Sequence, residues 1–198
     1  MTEVAIIDNG GANIASLRYA LDRLGADSHL TADPEVLSAA PRVILPGVGA
    51  AADAMQRLET SGLVATIRGL RQPVLGICLG MQLLFESSEE GDTRCLGLIS
   101  GRVQRFPQRD GYPVPHMGWN QVEFAAAEPL LRGIDTGDYV YFVHGYAAPV
   151  GPWTVATTDY GGPFSAVVRQ GNFAGTQFHP ERSGTTGSRL LANFLELG

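Results

Sequence analysis

Two short stretches of this 198-residue sequence carry residue types that can make and break covalent bonds. The first runs from Pro73 to Phe85, where an apolar segment enters the turn Gly76-Ile77-Cys78-Leu79-Gly80 and leaves through Met81 and Gln82 in a helix-like pattern. A Gly-x-nucleophile-x-Gly turn between a strand and a helix suits a sharp elbow. The nucleophile needs an unusual backbone angle, and the flanking glycines keep the neighbouring strands and the helix clear. Cys78 would then sit at the C-terminal end of a strand, under the first free N–H groups of a helix. Those donors favour a thiolate and can also hold an oxyanion. The competing reading is a buried structural cysteine. The second stretch ends a strand-like run as Gln177-Phe178-His179-Pro180-Glu181. Pro180 pushes His179 toward an extended backbone, and residues two apart in an extended chain share a face. Glu181 is therefore placed to fix the tautomer of His179 and raise its basicity, so that the imidazole can take a proton from a thiol. A His-Pro-Glu by itself is most often an ordinary surface turn. Together with a cysteine elbow it supplies a nucleophile, a base and an orienting acid.

The elements that must position these groups follow from apolar patterning. Val4–Asp8, Ser28–Leu30, Val43–Leu45 and Val74–Ile77 read as short buried strands. Between them lie helical patterns at Ile14–Leu24, after an Asp33 cap with Pro34 in the first turn, at Ala50–Leu58 and at Leu63–Leu70. This β-α alternation up to Phe85 predicts an α/β fold, a doubly wound, mostly parallel sheet of flavodoxin-like type with helices on both faces. Ligands in such sheets bind outside the carboxyl ends of the strands, the edge where the loop Pro46-Gly47-Val48-Gly49 and Cys78 both lie. Beyond Phe85 the texture changes to short alternating strands: Ile99–Phe106, Trp119–Phe124, Tyr139–Val143, Trp153–Thr158, Phe164–Arg169 and Phe173–Phe178. Mixed or antiparallel pairing is expected there, and Ser188–Leu197 closes the chain as a helix. With no repeat or linker, residues 1–198 are expected to form one domain.

Composition excludes several function classes. A net charge of −6 argues against nucleic acid or an anionic membrane as the main partner. No apolar run approaches the ~18 residues of a membrane-spanning helix. Two cysteines, Cys78 and Cys95, are too few for a disulfide framework, and no signal-like N-terminus precedes the first strand, so a reducing, cytoplasmic setting is expected. No Cys/His cluster has zinc spacing, and neither a metal nor a cofactor is expected.

Gly76-Ile77-Cys78-Leu79-Gly80-Met81-Gln82 with Gln177-Phe178-His179-Pro180-Glu181 resembles the triad-type (class I) glutamine amidotransferases. Leu45–Gly49, Leu96–Gly101, Pro115–Asn120 and Tyr141–Tyr146 narrow the resemblance to the family of glutaminase subunits of imidazole glycerol phosphate synthase, over the span from Ile7 to the final helix. The resemblance implies Cys78 as the nucleophile that forms a glutamyl thioester, His179 as general base and then acid, and Glu181 as its orienting partner. It implies oxyanion donors from the Leu79 N–H and from the Gly47-Val48-Gly49 loop, where a peptide flip presents the N–H of Val48. Gln82, with Gly49, is implied in holding glutamine. The implied partner is a (β/α)₈-barrel cyclase that receives the ammonia in a heterodimer, docked around Asn13, Trp119, Tyr141 and Arg182. Core packing is the alternative for Trp119, a solvent-facing helix position for Gln82, and a plain strand-to-helix turn for Pro46 to Gly49.

Three positions depart from that family's pattern: Ala12 where glycine is usual, Gly145 where serine or threonine often stands, and Arg182 where lysine is usual. Arg182 keeps the charge but not the geometry. His29 is expected at the surface, His116 and His144 in structural or interface roles, and Cys95 inert. A glutaminase subunit of another ammonia-using complex, such as the pyridoxal phosphate or anthranilate one, is the rival enzyme reading, and a non-catalytic relative of the same fold is the rival outside enzymes. His116-Met117-Gly118-Trp119 and Tyr141-Phe142-Val143-His144 speak against the first, and the intact Cys78, His179 and Glu181 against the second.

Overall fold

Alternate residues of the central strands face opposite ways into two separate apolar cores, and this divides the molecule into layers. The computed structural model describes residues 2–10 and 14–197. Its main sheet holds β1 (Glu3–Ile7), β2 (Asp27–Thr31), β3 (Val43–Gly47), β4 (Val74–Cys78), β11 (Thr154–Asp159), β12 (Pro163–Gln170) and β13 (Phe173–Thr176), in the order β11-β12-β13-β4-β3-β1-β2. The run from β13 to β2 is parallel, while β12 and β11 extend it antiparallel. β3 and β4 are buried along their whole length, as expected of central parallel strands covered on both faces. Val4, Ile6, Ile44, Leu75 and Ile77 join one core with α1 (Ala15–Arg23) and α6 (Gly184–Glu196); Ala5, Ile7, Val43, Leu45 and Val74 join the other. That second core takes in α2 (Pro34–Ala39), α3 (Ala51–Thr60) and α4 (Leu63–Gly69). The doubly wound parallel sheet is therefore present, and the Asp33 carboxylate caps α2 as its sequence predicts, accepting from the Glu35 N–H at 2.8 Å.

The second half departs from expectation in two places. The helix after the elbow, α5 (Leu79–Leu83), is short, and Phe85 opens a strand, β5 (Phe85–Ser88). The carbonyls of Leu83, Leu84 and Phe85 accept hydrogen bonds from the Leu96–Ile99 segment, which draws the chain out of helix. β5 joins β6 (Thr93–Arg94), β7 (Ile99–Arg105) and β10 (Tyr146–Ala147) in a small side sheet. The strand expected over Trp119–Phe124 instead spans His116–Gln121 (β8) and pairs antiparallel with β9 (Tyr139–His144), from His116 opposite His144 to Gln121 opposite Tyr139. In this ribbon Val140, Phe142 and His144 are buried while Tyr139 is exposed and Tyr141 and Val143 are half-buried, so its two faces differ in kind.

Candidate active site

β4 ends at Cys78, whose φ of 53° and ψ of −110° lie in a region that L-residues other than glycine rarely adopt. This is the strained elbow that the Gly-x-Cys-x-Gly spacing predicts. The glycines are required by contact: a Cβ on Gly80 would lie 1.8 Å from the Leu45 carbonyl oxygen, and one on Gly76 would lie 2.7 Å from the Gly80 oxygen. Strand register brings the other parts to the sulfur. Gly47 pairs with Cys78 across β3 and β4, so Val48 and Gly49 leave the sheet beside the nucleophile. On the other side Thr176 pairs with Ile77, and three residues further on the chain reaches His179.

His179 is extended, with φ −95° and ψ 99°, but residues 180–182 form a tight 3-10 turn. Glu181 therefore reaches the imidazole through a turn and not along a straight strand, with its Oε1 2.9 Å from His179 Nδ1. A carboxylate only accepts, so Nδ1 carries a proton and Nε2 is left for the sulfur side. Glu181 Oε2 is buried without a partner among the described residues. The backbone of His179 is clamped to the ribbon: its N–H donates to the Tyr141 carbonyl at 3.0 Å, and its carbonyl accepts from Ser183 Oγ at 2.7 Å. The same Oγ accepts from the Tyr141 N–H at 3.0 Å. Burial alone would lower the pKa of His179, but hydrogen bonds to Cys78 and Glu181 and the charge of both outweigh it and push the value up to about 10.

A cavity of about 240 Å³ opens on this group, lined by Val48, Gly49, Cys78, Leu79, Gln82, Glu90, His179 and the segment from Val143 to Tyr146. A larger one, of about 540 Å³, lies beside Asp8, Asp53 and Arg57 and has neither cysteine nor histidine in its lining. Gln82 is buried, not solvent-facing: its Nε2 donates to the Tyr146 carbonyl at 2.8 Å and to Gln177 Oε1 at 3.0 Å. Three participants carried no assigned role in the sequence. The Glu90 carboxylate accepts from the Ala51 N–H at 2.7 Å at the start of α3, and it also lines the cavity. Asn9, buried, donates to the Pro46 carbonyl at 2.9 Å and ties the first loop to the second. Gln177, fully buried, places its Nε2 3.8 Å from the Cys78 sulfur. Glu90 lies in the run Glu86–Asp92, which has no periodicity to single it out, whereas adjacency to the His-Pro-Glu motif could have pointed to Gln177.

A thiol at a strained elbow, an imidazole with a buried carboxylate behind it and a small cavity in front can deprotonate sulfur, form a thioester and protonate a leaving amine. Residues 5–197 match the protein family described as "Glutamine amidotransferase class-I". The chain belongs to the class-I glutamine amidotransferases. Within this family its relatives include the imidazole glycerol phosphate synthase subunit HisH of Xanthomonas euvesicatoria pv. vesicatoria, 58% identical over 197 residues that cover 100% of this chain and 98% of that one. The same subunit of Xylella fastidiosa (strain Temecula1) is 55% identical with the same coverage. Among solved structures, PurLQS from Thermotoga maritima superposes with a TM-score of 0.72 at 21% identity, covering 98% of this chain and 97% of that one.

In this class-I amidotransferase His116 and His144, expected in structural or interface roles, are both buried, and His144 also lines the cavity. The His144 Nδ1 lies 2.8 Å from the Tyr146 carbonyl and so carries its proton there, leaving Nε2 to accept from His116 Nδ1 at 3.1 Å. Burial pushes His116 down to about 4 and is also the main cause that brings His144 down to about 3, so both are neutral. His29 is half-buried near Glu3 and not fully at the surface. Burial, and then the charge of Glu90, raise the Cys95 thiol to about 11, which leaves it unreactive at neutral pH. Trp119 is 55% exposed, which excludes the core reading. Its ring stands 5.9 Å from Tyr141, over which the Arg182 guanidinium lies, also at 5.9 Å. Asn13 and Ala12 lie outside the described residues. No helix among the described residues is long and apolar enough to cross a membrane, and no group of three or more His, Cys, Asp or Glu among them could hold a metal ion.

Proposed function

We propose that this chain hydrolyses glutamine to glutamate and ammonia through a Cys78 thioester and passes the ammonia to a (β/α)₈-barrel cyclase, with which it forms the heterodimeric imidazole glycerol phosphate synthase of histidine biosynthesis in the cytoplasm. The observation that carries the glutaminase chemistry is the Cys78 elbow sharing one small cavity with His179, whose Nδ1 is held by Glu181. The choice of complex rests on the full-length likeness to HisH chains.

The thiolate of Cys78 attacks the side-chain amide carbon of glutamine, and the resulting oxyanion is held by the Leu79 N–H and, after a peptide flip beside Gly49, by that of Val48. Gly49 already has φ +90°, a region open to glycine, and Gly47 is held in register with the nucleophile. His179 gives its proton to the departing ammonia, and Glu181 steadies the imidazolium. His179 then takes a proton from the water that cleaves the thioester. Gln82 has both amide hydrogens engaged, so it meets glutamine through Oε1, as an acceptor for an N–H. The Glu90 carboxylate in the cavity fits the substrate's α-ammonium group. One missing oxyanion donor costs about 3 kcal/mol, enough to leave an unflipped loop almost idle until a partner docks. The outer face of the ribbon, with Met117, Trp119 and Tyr139 exposed beside Tyr141 and Arg182, supplies aromatic and arginine anchors for that docking. Sealing ammonia within the complex keeps it from protonation by bulk water.

Mixing the chain with a histidine-pathway cyclase and measuring glutamine hydrolysis tests the assignment. Stimulation by that cyclase is expected. If only an ammonia-using partner of another pathway raises the rate, the rival amidotransferase complex takes its place.

A further inference from the structure

The mechanism above leaves Gln177 unused, although it is fully buried and touches both the substrate-side Gln82 and the nucleophile. The orientation of its amide follows from one fixed acceptor. The Tyr146 carbonyl cannot donate, so the Gln82 atom 2.8 Å from it is the NH₂ group. That same nitrogen lies 3.0 Å from Gln177, so the Gln177 atom facing it is the oxygen. The remaining terminal atom of Gln177, 3.8 Å from the Cys78 sulfur, is then an NH₂ that can only donate. The Tyr146 carbonyl is itself held from a second direction by His144 Nδ1 at 2.8 Å. Every link back from the sulfur is thus fixed by a backbone atom or a buried ring.

We propose that Gln177 is a further catalytic residue, a fixed N–H donor to the Cys78 sulfur that stabilises the thiolate before glutamine arrives and holds it aimed at the cavity. The inference rests on Cys78 being the nucleophile. A hydrogen bond to a charged acceptor is stronger than one to a neutral one, so this donor favours the thiolate over the thiol. The Val143 carbonyl, 3.9 Å from the sulfur, points the other way, because a carbonyl can only accept from S–H. Gln177 thus offsets a neighbour that favours the protonated form.

Alkylation of Cys78 by iodoacetamide in the full chain, located by peptide mass mapping against Cys95, tests this without any turnover. Gln177→Met keeps the length and volume but removes the N–H. It should slow alkylation at pH 7 roughly tenfold, with the rate restored toward wild type at pH 9, where the thiolate forms without help. Gln177→Glu, which can still accept from Gln82 but has no donor, should slow it at pH 7 at least as much, and it serves as the second variant if the Met form does not fold. Wild-type rates at pH 7 in a folded variant, or a loss equal at pH 7 and pH 9, would overturn the proposal. His179→Ala separates the two levels. If the wild-type Cys78 reacts no faster than Cys95 and His179→Ala changes nothing, the nucleophile assignment itself fails; if His179→Ala slows Cys78 and Gln177→Met does not, only the role of Gln177 fails.

Discussion

The nucleophile and its base sit in one cavity but are held by different physical means. The backbone of Cys78 is set by the sheet: β3 and β13 pair on either side of its strand, and glycines let the elbow close to contacts that leave no room for a Cβ. His179 is set by a carboxylate, a serine hydroxyl and the Tyr141 backbone, on a turn that borders an exposed ribbon. The first arrangement cannot be loosened without cost to the fold. The second can be shifted through side chains and through whatever binds the ribbon, so of the two groups the base is the one that can be moved from outside.

The largest effect should come from the elbow's sulfur. Cys78→Ala is expected to lower glutamine-dependent activity in the complex by about 10⁴-fold or more, with synthesis from added ammonium salts retained. Loss of both activities would show that Cys78 serves the fold instead. Next comes the elbow's packing: Gly80→Ala drives a methyl into the Leu45 carbonyl and should cost about 3 kcal/mol or more, a fall in Tm of roughly 10 °C by thermal denaturation.

The two regions should also separate by pH. His116 and His144 under the ribbon titrate below the unfolded value of about 6.5, so the unfolded chain binds their protons first and stability falls as pH drops from 6.5 toward 4. His179 titrates above it, so its contribution is complete below pH 6.5 and is lost as pH rises toward 10. Melting curves across this range should show both limbs in wild type and a flattened alkaline limb in His179→Gln. An unchanged alkaline limb would mean that His179 is not held as a cation. Smaller still, Ser183→Ala removes the clamp between His179 and β9 and should cost about 1 kcal/mol in stability, with a several-fold loss of glutaminase rate. Trp119→Ala should leave the melting temperature of the isolated chain within a degree or two while weakening the cyclase complex about tenfold or more, measured by titration calorimetry.

What the sequence disclosed follows the same division. The elbow was legible because Gly76, Cys78 and Gly80 state a backbone requirement in residue types, and the parallel sheet followed from the alternation of short apolar runs with helical patterns up to Phe85. The short α5 was not legible, because Leu79 to Phe85 are buried on every side and carry no period to mark where helix gives way to strand. The side sheet depends on hydrogen bonds from Leu96–Ile99, a contact that no local pattern encodes. His179 and Glu181 were paired correctly by spacing, although a turn and not an extended strand brings them together. Glu90 and Asn9 act through long-range bonds to Ala51 and Pro46, so their neighbours in sequence gave no clue.

The alternation along β9 has one more consequence. The strand turns Tyr139 and Tyr141 outward, buries Val140 and Phe142, and ends in the segment that lines the cavity, in fixed register with β8. Inserting or deleting a single residue between Tyr139 and His144 would exchange its outward and inward sets at a stroke. Substitutions can therefore accumulate on either face independently, but the length of this strand is shared property of the exposed aromatic face and the cavity, and neither can change it alone.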